Sequence, residues 1–248
     1  MPDVPIIFKI FFVGFSVVFV IAFFGILGSF VYTIVKGRRL GRDRVGQLRR
    51  LSMDRGWAFN PDPDRSHSEQ YPRLALFNLG ENKRAINTIT GSLVANGLRH
   101  QFRMGDHSYE TSDMRDDSTT KHTLSYLIVH LPYAGVPELE IRPEHFVDRI
   151  GSALGFEDID FESAEFSAKF HVRSSEKKFA YDILTPGTME FLLASSRRSI
   201  EIKAGILCIM TDASTWEPEQ FVLHLDWVAA FLNRWPSHVI QRLLQSTA

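Results

Sequence analysis

Three carboxylates alternate with other residues at Asp158, Asp160 and Glu162, in the stretch FEDIDFES. On a β-strand every second side chain lies on the same face, so these three would form one acidic surface. Oxygen ligands of this kind bind hard cations such as Ca²⁺ and Mg²⁺. The twelve-residue calcium-loop pattern is missing, however, and the same alternation is typical of a strand with a solvated acidic face. The solvated strand is the simpler interpretation, and the three residues are the candidate metal ligands.

The nine histidines show none of the spacings that place two imidazoles on one metal, because neither HExxH nor HxH occurs. His224 and Asp226 lie two residues apart in a predicted helix, which turns their side chains ~200° from each other and prevents a direct dyad. Glycine-rich phosphate loops and the hydrolase GxSxG pattern are also missing from the sequence. We therefore predict no cofactor, and the sequence identifies no catalytic residue.

Near its N-terminus the chain has a long apolar segment. From Ile10 to Val35 the chain has 26 residues without a charge, rich in Phe, Ile and Val. Because a helix rises ~1.5 Å per residue, about 20 residues cross a ~30 Å hydrocarbon core. A cleaved signal peptide would have a shorter apolar run with a cleavage site after it. Residues 1–35 are thus predicted to be an N-terminal stub and a retained transmembrane helix in the lipid bilayer.

Basic residues lie almost entirely on one side of this segment. Residues 36–55 contain eight Lys and Arg residues, whereas only Lys9 precedes the segment. Cytoplasmic flanks of membrane helices are enriched in Lys and Arg, so we predict a single-pass protein of the cell membrane with its N-terminus outside and its C-terminal domain in the cytoplasm. Leucine spacing predicts an amphipathic helix over residues 36–56, which either lies on the membrane or packs on the body. The predicted contacts to anionic lipid headgroups are Lys36, Arg38, Arg39, Arg42 and Arg44.

The remaining residues, 57–248, are predicted to form a cytoplasmic domain, with a split into two lobes near 132–137 as an alternative to one core. The chain has a net charge of −1 and the basic flank contributes +6, so the body carries −7. An acidic body argues against nucleic acid as a partner, because phosphate contacts need a basic face. Cys208 is the only cysteine, which excludes an intrachain disulfide and fits a reducing compartment.

The pattern of the body indicates an α+β fold. Alternating apolar and polar residues predict two strands joined by a tight turn at Asn96-Gly97. Residues 109–121 are polar and predicted to form a hairpin tip or loop, and Thr123–Pro132 predicts a further strand. The second half mixes short strands and helices and ends in a long amphipathic helix, Glu217–Trp235. Strands followed by mixed elements and a terminal helix are typical of an α+β domain with antiparallel strands.

Several stretches of the body carry a family resemblance. They are RGW, PELEIRPE, DIDFESAEFSAKFHVRS and FAYDILTPGTMEFLL, and together they cover roughly residues 55–240. The more specific patterns are FESxxFxxxFxV and FAYDxLxPxxMEFLL. The chain resembles a group of bacterial proteins, common in actinobacteria, with one N-terminal span and a soluble α+β body. The resemblance implies that architecture, and it implies no catalytic residue because no activity is assigned to the group.

Different classes of function remain open. The apolar segment, the basic flank and the missing catalytic patterns favour a membrane-anchored cytoplasmic binding or scaffold module, with the bilayer and an unidentified protein as partners. A carboxylate- or metal-dependent hydrolase that uses residues such as Asp160 and Glu162 is one alternative, and a module that senses anionic lipid is another. Gly25 and Ser29 have the small-xxx-small spacing of closely packed helices, so a homodimer through the span is a further alternative to a lipid-exposed helix.

Overall fold

A computed structural model of the chain describes residues 43–113, 118–144, 156–195, 198–211 and 214–245. The fold belongs to the compact unit that begins at Leu48. Throughout these ranges, no helix is both long enough and apolar enough to cross a membrane. The predicted transmembrane segment, Ile10–Val35, lies outside them.

An antiparallel sheet organises the domain. Within the described ranges its strands are β1 Ala58–Asn60, β2 Glu81–Ala95, β3 Leu98–Asp113, β4 Ser118–His130, β5 Leu139–Pro143, β6 Phe170–Ser174, β7 Ser199–Lys203 and β8 Ile206–Met210. Their order across the sheet is β1-β2-β3-β4-β8-β7-β5-β6, and each neighbouring pair is antiparallel. Strands from both sides of residues 132–137 therefore belong to the same sheet. The predicted α+β body with antiparallel strands is confirmed.

Helices surround this sheet. The helix α1 covers residues 43–54. The others are α2 His67–Gln70, α3 Ala164–Lys169, α4 Lys177–Ile183, α5 Pro186–Leu193, α6 Pro218–Leu232 and α7 Ser237–Gln245, with a 3-10 helix at Ala75–Asn78. The predicted C-terminal helix is thus confirmed as α6. Pro218 occupies its first turn, and the Gln220 side chain accepts a hydrogen bond from the Glu217 amide at 2.7 Å, so a capping box fixes the start of the helix.

The hairpin of β2 and β3 turns where the sequence predicted. Asn96 and Gly97 have φ angles of 52° and 73°. A type I′ turn needs positive φ at both central residues, and Asn-Gly meets this need at little steric cost. Ala204 and Gly205, with φ of 50° and 72°, make the equivalent turn between β7 and β8. The first hairpin therefore follows from local backbone preference, whereas Ala204 takes a positive φ that alanine disfavours, so the pairing of β7 with β8 must hold it there.

The polar segment 109–121 is more regular than predicted. β3 continues to Asp113 and β4 begins at Ser118, which leaves 114–117, outside the described residues, for the tip. Ladder hydrogen bonds join the two strands over this whole length. Tyr109 also stacks on His122 with ring centroids 4.9 Å apart. Backbone pairing does not require apolar side chains, so the polar composition did not exclude a strand.

Each face of the sheet carries its own apolar layer. On the first face, side chains such as Ile89, Leu127 and Ile200 form the main core together with the helices that follow β5. On the second face, the segment 61–79 packs over Tyr126 and its neighbours. Alternation along the strands separates the two layers, because adjacent residues point to opposite faces.

The end of α1 packs into the main core. Leu48 is fully buried there, and Leu51 packs beside it. Gly56, with φ of 67°, ends the helix, and the Trp57 amide donates to the Ser52 carbonyl at 2.8 Å. This is the hydrogen bond of a Schellman motif, in which glycine takes the left-handed position. From Leu48 onward the helix therefore packs on the body, one of the two predicted alternatives.

Candidate functional site

The candidate metal ligands Asp158, Asp160 and Glu162 do not lie on a strand. Residues 156–163 are irregular, and the Ile159 amide joins them to β6 by donating to the Val172 carbonyl at 2.8 Å. Ser163 then caps α3, since its hydroxyl accepts from the Phe166 amide. The backbone that carries the three carboxylates is irregular and pairs as no strand, so the predicted acidic strand face is wrong.

Asp158 is held by two basic side chains of β6. Its carboxylate accepts a hydrogen bond from Arg173 Nε at 2.6 Å and contacts His171 Nδ1 at 3.1 Å. Burial alone would raise the pKa of Asp158, but the hydrogen bonds from Arg173 and His171 outweigh it and lower the pKa. The opposite ring nitrogen of His171 lies 2.5 Å from a Glu144 carboxylate oxygen. Asp158 therefore belongs to an ion-pair network on the outer edge of the sheet.

Asp160 and Glu162 are exposed, and the Asp160 carbonyl accepts from the Tyr181 hydroxyl at 3.2 Å. In the part of the chain that the structure describes, no group of three or more His, Cys, Asp or Glu side chains is arranged to hold a metal ion. Metal binding by Asp158, Asp160 and Glu162 stays a prediction.

The predicted lipid contacts fall mainly outside the described residues. Lys36, Arg38, Arg39 and Arg42 lie there, whereas Arg44 lies on α1 and is partly buried. Lipid contact at these five residues also stays a prediction.

A relay of the partly exposed Asp64 and the buried His67 and Tyr126 was not predicted. The Asp64 carboxylate lies 3.0 Å from His67 Nδ1, and the Tyr126 hydroxyl lies 2.9 Å from His67 Nε2. Asp64 also accepts from the amide and the hydroxyl of Ser66, and these bonds, with that from His67, hold its pKa below the usual value although burial opposes them. An ionised Asp64 fixes the tautomer of the imidazole: Nδ1 donates to the carboxylate and Nε2 accepts from the phenol.

This relay resembles the carboxylate–histidine pair of a general base, but its third member is enclosed. Tyr126 is fully buried, and burial raises its pKa far above the ordinary tyrosine value. Burial also lowers the pKa of His67, so the imidazole is neutral at physiological pH. The relay joins the segment 61–79 to the centre of the sheet. Its chemistry is that of a buried polar clamp, in which each member satisfies the next.

A second buried polar group is centred on Asp106. The Asp106 carboxylate accepts from Asn87 Nδ2 at 2.9 Å and from the Ser125 hydroxyl at 2.5 Å. The Ser125 oxygen in turn accepts from the Trp216 amide at 2.8 Å. Asn87 has a φ of 56°, at an irregularity in the pairing of β2 with β3. These bonds join β2, β3, β4 and the segment before α6.

Charged side chains form a strip across β5 and β7. Glu140 pairs with Arg142, and Glu201 pairs with Lys203, and all four are buried. Glu140 lies directly opposite Glu201 in the ladder, and burial, with Glu201 adding to it, raises the pKa of Glu140 against the effect of Arg142. The Ala75 amide donates to Glu201 at 3.1 Å. The strip thus fastens the segment 61–79 to β7.

A different arrangement lies on α5 and α6, where two arginines enclose two stacked aromatic rings. Trp227 and Phe191 stack with centroids 5.1 Å apart and planes 22° apart. The Arg198 guanidinium lies 4.7 Å from the Trp227 ring centroid, and that of Arg234 lies 3.9 Å from the Phe191 centroid. Together with the exposed Leu223, these four residues are called the aromatic–arginine face.

The arginines of this face have no carboxylate partner among the described residues. Arg198 donates to His224 Nδ1 at 3.0 Å and to the Ser195 carbonyl at 3.4 Å. Arg234 donates to the Ala230 carbonyl at 2.8 Å. Burial, and then the nearby Arg198 charge, lower the pKa of His224 to about 4, so its ring is a neutral acceptor.

Sequence reasoning missed both the relay and this face. Asp64 and His67 lie in a stretch that reads as a surface loop, and Tyr126 is distant from it in sequence. The face had a local signal in Leu223 and Trp227, which are four residues apart and lie on one side of α6, with Arg234 following soon after the helix ends at Leu232.

Comparison with known proteins gives a fold relationship. No family model matches the chain, and no curated protein matches it. A solved structure titled "crystal structure of the mycobacterial trehalose monomycolate transport factor A, TtfA" is similar, with a TM-score of 0.55 and 10% sequence identity. The similarity covers 80% of this chain and 97% of that chain. At this identity the similarity shows a shared fold and no more.

Proposed function

We propose that this protein is a membrane-anchored module that binds a protein partner at the cytoplasmic face of the membrane and serves a transport process. The observation that carries the proposal is the shared fold, because it extends over nearly the whole of a domain whose title names a transport factor. We extend to this chain only that class of role, and not the cargo. The apolar segment and the basic flank supply the anchor and its orientation.

The contacts of the chemistry-bearing residues support binding over catalysis. The relay at His67 ends in a buried phenol, and Asp158 is paired with Arg173. On the aromatic–arginine face, the exposed Leu223 and Arg234 occur together with the partly exposed Phe191 and Arg198, and arginine and aromatic residues are the types that dominate protein interfaces. A carboxylate- or metal-dependent hydrolase and an anionic-lipid sensor stay predictions, and no observation favours either over a binding module.

Site-specific photo-crosslinking in the intact membrane tests the proposal. The full chain would carry a photoreactive phenylalanine analogue at one exposed apolar position at a time, namely Met53, Val94, Tyr181 or Leu223. We expect a discrete protein adduct from at least one position, and we expect it to be lost when residues 1–35 are deleted. If no position gives a protein adduct, the domain has no stable partner and the proposal fails.

A further inference from the structure

The aromatic–arginine face has the features of a docking surface for an acidic partner. We propose that it binds an acidic segment of a protein, with carboxylates paired to Arg198 and Arg234 and an apolar side chain packed on Leu223. This inference rests on the binding function proposed above and specifies the surface and the chemistry of its partner.

The charges of the domain support an acidic partner. Several other buried or half-buried arginines meet carboxylates, namely Arg142 with Glu140, Arg173 with Asp158, and Arg242 with Asp182. Arg103, by contrast, donates to the side-chain amide oxygen of Gln70. Arg198 is also half-buried, yet its contacts are a neutral imidazole and a carbonyl. A partly desolvated guanidinium without a carboxylate gains more from an added carboxylate than a solvated one does.

Acidic residues near the face do not supply that partner. Glu190 precedes Phe191 on α5 and Asp226 precedes Trp227 on α6, but among the described residues neither forms an ion pair with Arg198 or Arg234. The body carries −7 overall, so Arg198 and Arg234 are local positive charges on an acidic domain. Carboxylates of an incoming segment would be attracted to these two arginines, while Glu219 and Asp226, one helical turn either side of Leu223, restrict where those carboxylates can lie.

The geometry of Arg198 is prepared for a bidentate ligand. A guanidinium has five N–H donors, and two of them are used, by His224 Nδ1 and by the Ser195 carbonyl. The Trp227 ring lies against the guanidinium and fixes its plane. Trp227 is itself held by a hydrogen bond from its Nε1 to the Ser195 hydroxyl at 2.8 Å. The remaining donors are therefore pre-organised, which lowers the entropy cost of pairing with a carboxylate.

The apolar part of the face is supplied by α6. Leu223 and Trp227 are four residues apart and lie on one side of α6, and Arg234 follows two residues after the helix ends at Leu232. Leu223 is 61% exposed, whereas the other large apolar residues of α6 are mostly buried. An exposed leucine between stacked aromatic rings and arginines combines the residue types that carry most of the free energy of protein interfaces.

The experiment uses the full chain in its native membrane with the photoreactive residue at Leu223. Three backgrounds are compared: the unchanged chain, Arg234→Glu, and Arg55→Glu. Arg55 is a matched control, because it is an exposed arginine whose guanidinium lies 5.8 Å from the Trp57 ring centroid, away from α5 and α6. The adduct is digested and the crosslinked segment of the partner is sequenced by mass spectrometry.

We expect the segment captured from Leu223 to be rich in Asp and Glu. Arg234→Glu should lower the adduct yield about tenfold, as loss of a charge pair at an interface does, and Arg55→Glu should leave it unchanged. Changing the acidic residues of the captured segment to Lys should restore the yield in the Arg234→Glu background. Arg198→Gln, which keeps a hydrogen-bonding side chain, should also lower the yield.

Several outcomes would overturn the inference. They are a captured segment without acidic residues, a yield that ignores Arg234→Glu, and adducts with lipid alone. Protein adducts from Val94, Tyr181 or Met53 but none from Leu223 would reject this surface while leaving the proposed binding function intact. The failure of all four positions would reject both.

Discussion

Tyr126 joins the segment 61–79 to the sheet. Its hydroxyl lies 2.9 Å from His67 Nε2, and both side chains are buried. Removal of the hydroxyl leaves the imidazole nitrogen without its donor in an apolar surrounding, where an unsatisfied polar group is costly. The stability of the segment 61–79 on the sheet should therefore depend on this one oxygen.

Tyr126→Phe is expected to lower the free energy of unfolding by about 1–3 kcal/mol. Urea denaturation followed by circular dichroism measures the change. Tyr109→Phe is the matched control, because Tyr109 lies on β3 and makes ring contacts with His107 and His122, while its hydroxyl has no hydrogen-bond partner among the described residues. An equal loss in both variants would show that the relay at His67 contributes nothing specific.

The buried histidines should make the domain sensitive to acid. Burial lowers the pKa of His107 to about 4, and burial with the Arg198 charge does the same for His224. In the unfolded chain both titrate near ~6.5. The unfolded state therefore binds more protons between pH ~6.5 and ~4, so their contribution to stability is complete above this window and decreases as the pH falls through it.

His107→Phe tests this dependence. Neither ring nitrogen of His107 has a hydrogen-bond partner among the described residues, and the ring contacts Phe77 and Tyr109, so an aromatic carbocycle suits the position. The unchanged chain should lose unfolding free energy between pH 7 and pH 4, and in the His107→Phe variant this loss should be smaller by at most ~3 kcal/mol. The expectation concerns this pH dependence and holds whatever the substitution does to stability at pH 7. A slope that is the same in the His107 variant would contradict the shifted titration.

At the scale of elements, the start of β2 depends on a close backbone approach. Gly80 has a φ of 56°, and a Cβ added there would lie 2.3 Å from the Glu110 carbonyl oxygen and 2.8 Å from Tyr109 Cδ2. Gly97, in the β2–β3 turn, has a φ of 73° but open space around it. Alanine would therefore be strained by the positive φ at both positions, but only at Gly80 would its Cβ also clash with neighbouring atoms.

Gly97→Ala is expected to cost about 1 kcal/mol of unfolding free energy, for the positive φ alone. Gly80→Ala should cost clearly more, because the carbonyl it meets belongs to a paired strand and cannot move aside cheaply. Paired urea melts of the two variants give the difference. Equal costs for the two variants would contradict this expectation. They would mean that β2 and β3 can move apart at Gly80 without lowering the free energy of unfolding.

Local elements were predictable from the sequence, and contacts between distant segments were not. The Asn96-Gly97 turn and the helix α6 depend on residues close together in the chain, and both were predicted. His67 and Tyr126 meet only after the segment 61–79 folds over the sheet. No short pattern encodes that contact. The alternation at Asp158–Glu162 suggested the start of a strand, whereas these residues form irregular backbone that leads to the helix cap at Ser163.

For the whole molecule, the sequence makes a firm prediction of topology. A reporter that is active only in the cytoplasm, fused after Ala248, is expected to be active. Neutralising Lys36, Arg38, Arg39 and Arg42 with Gln should lower that activity, because the charge asymmetry that orients the span is reduced. Neutralising Lys177 and Lys178 within the domain is the control. A silent reporter on the unchanged chain would reverse the orientation and remove the cytoplasmic partner from the proposed function.

The order of strands also determines how the chain emerges during synthesis. The strands β2, β3 and β4 are consecutive neighbours, so they can pair as soon as each leaves the ribosome. The other edge of β4 cannot pair until β8 has been synthesised, since Tyr126 pairs with Met210, near the C-terminus. Until then its free edge offers unpaired amides and carbonyls beside an apolar run, which is a template for aggregation. A strand made late in synthesis therefore joins the two halves of the sheet, and truncation before β8 should yield an insoluble product.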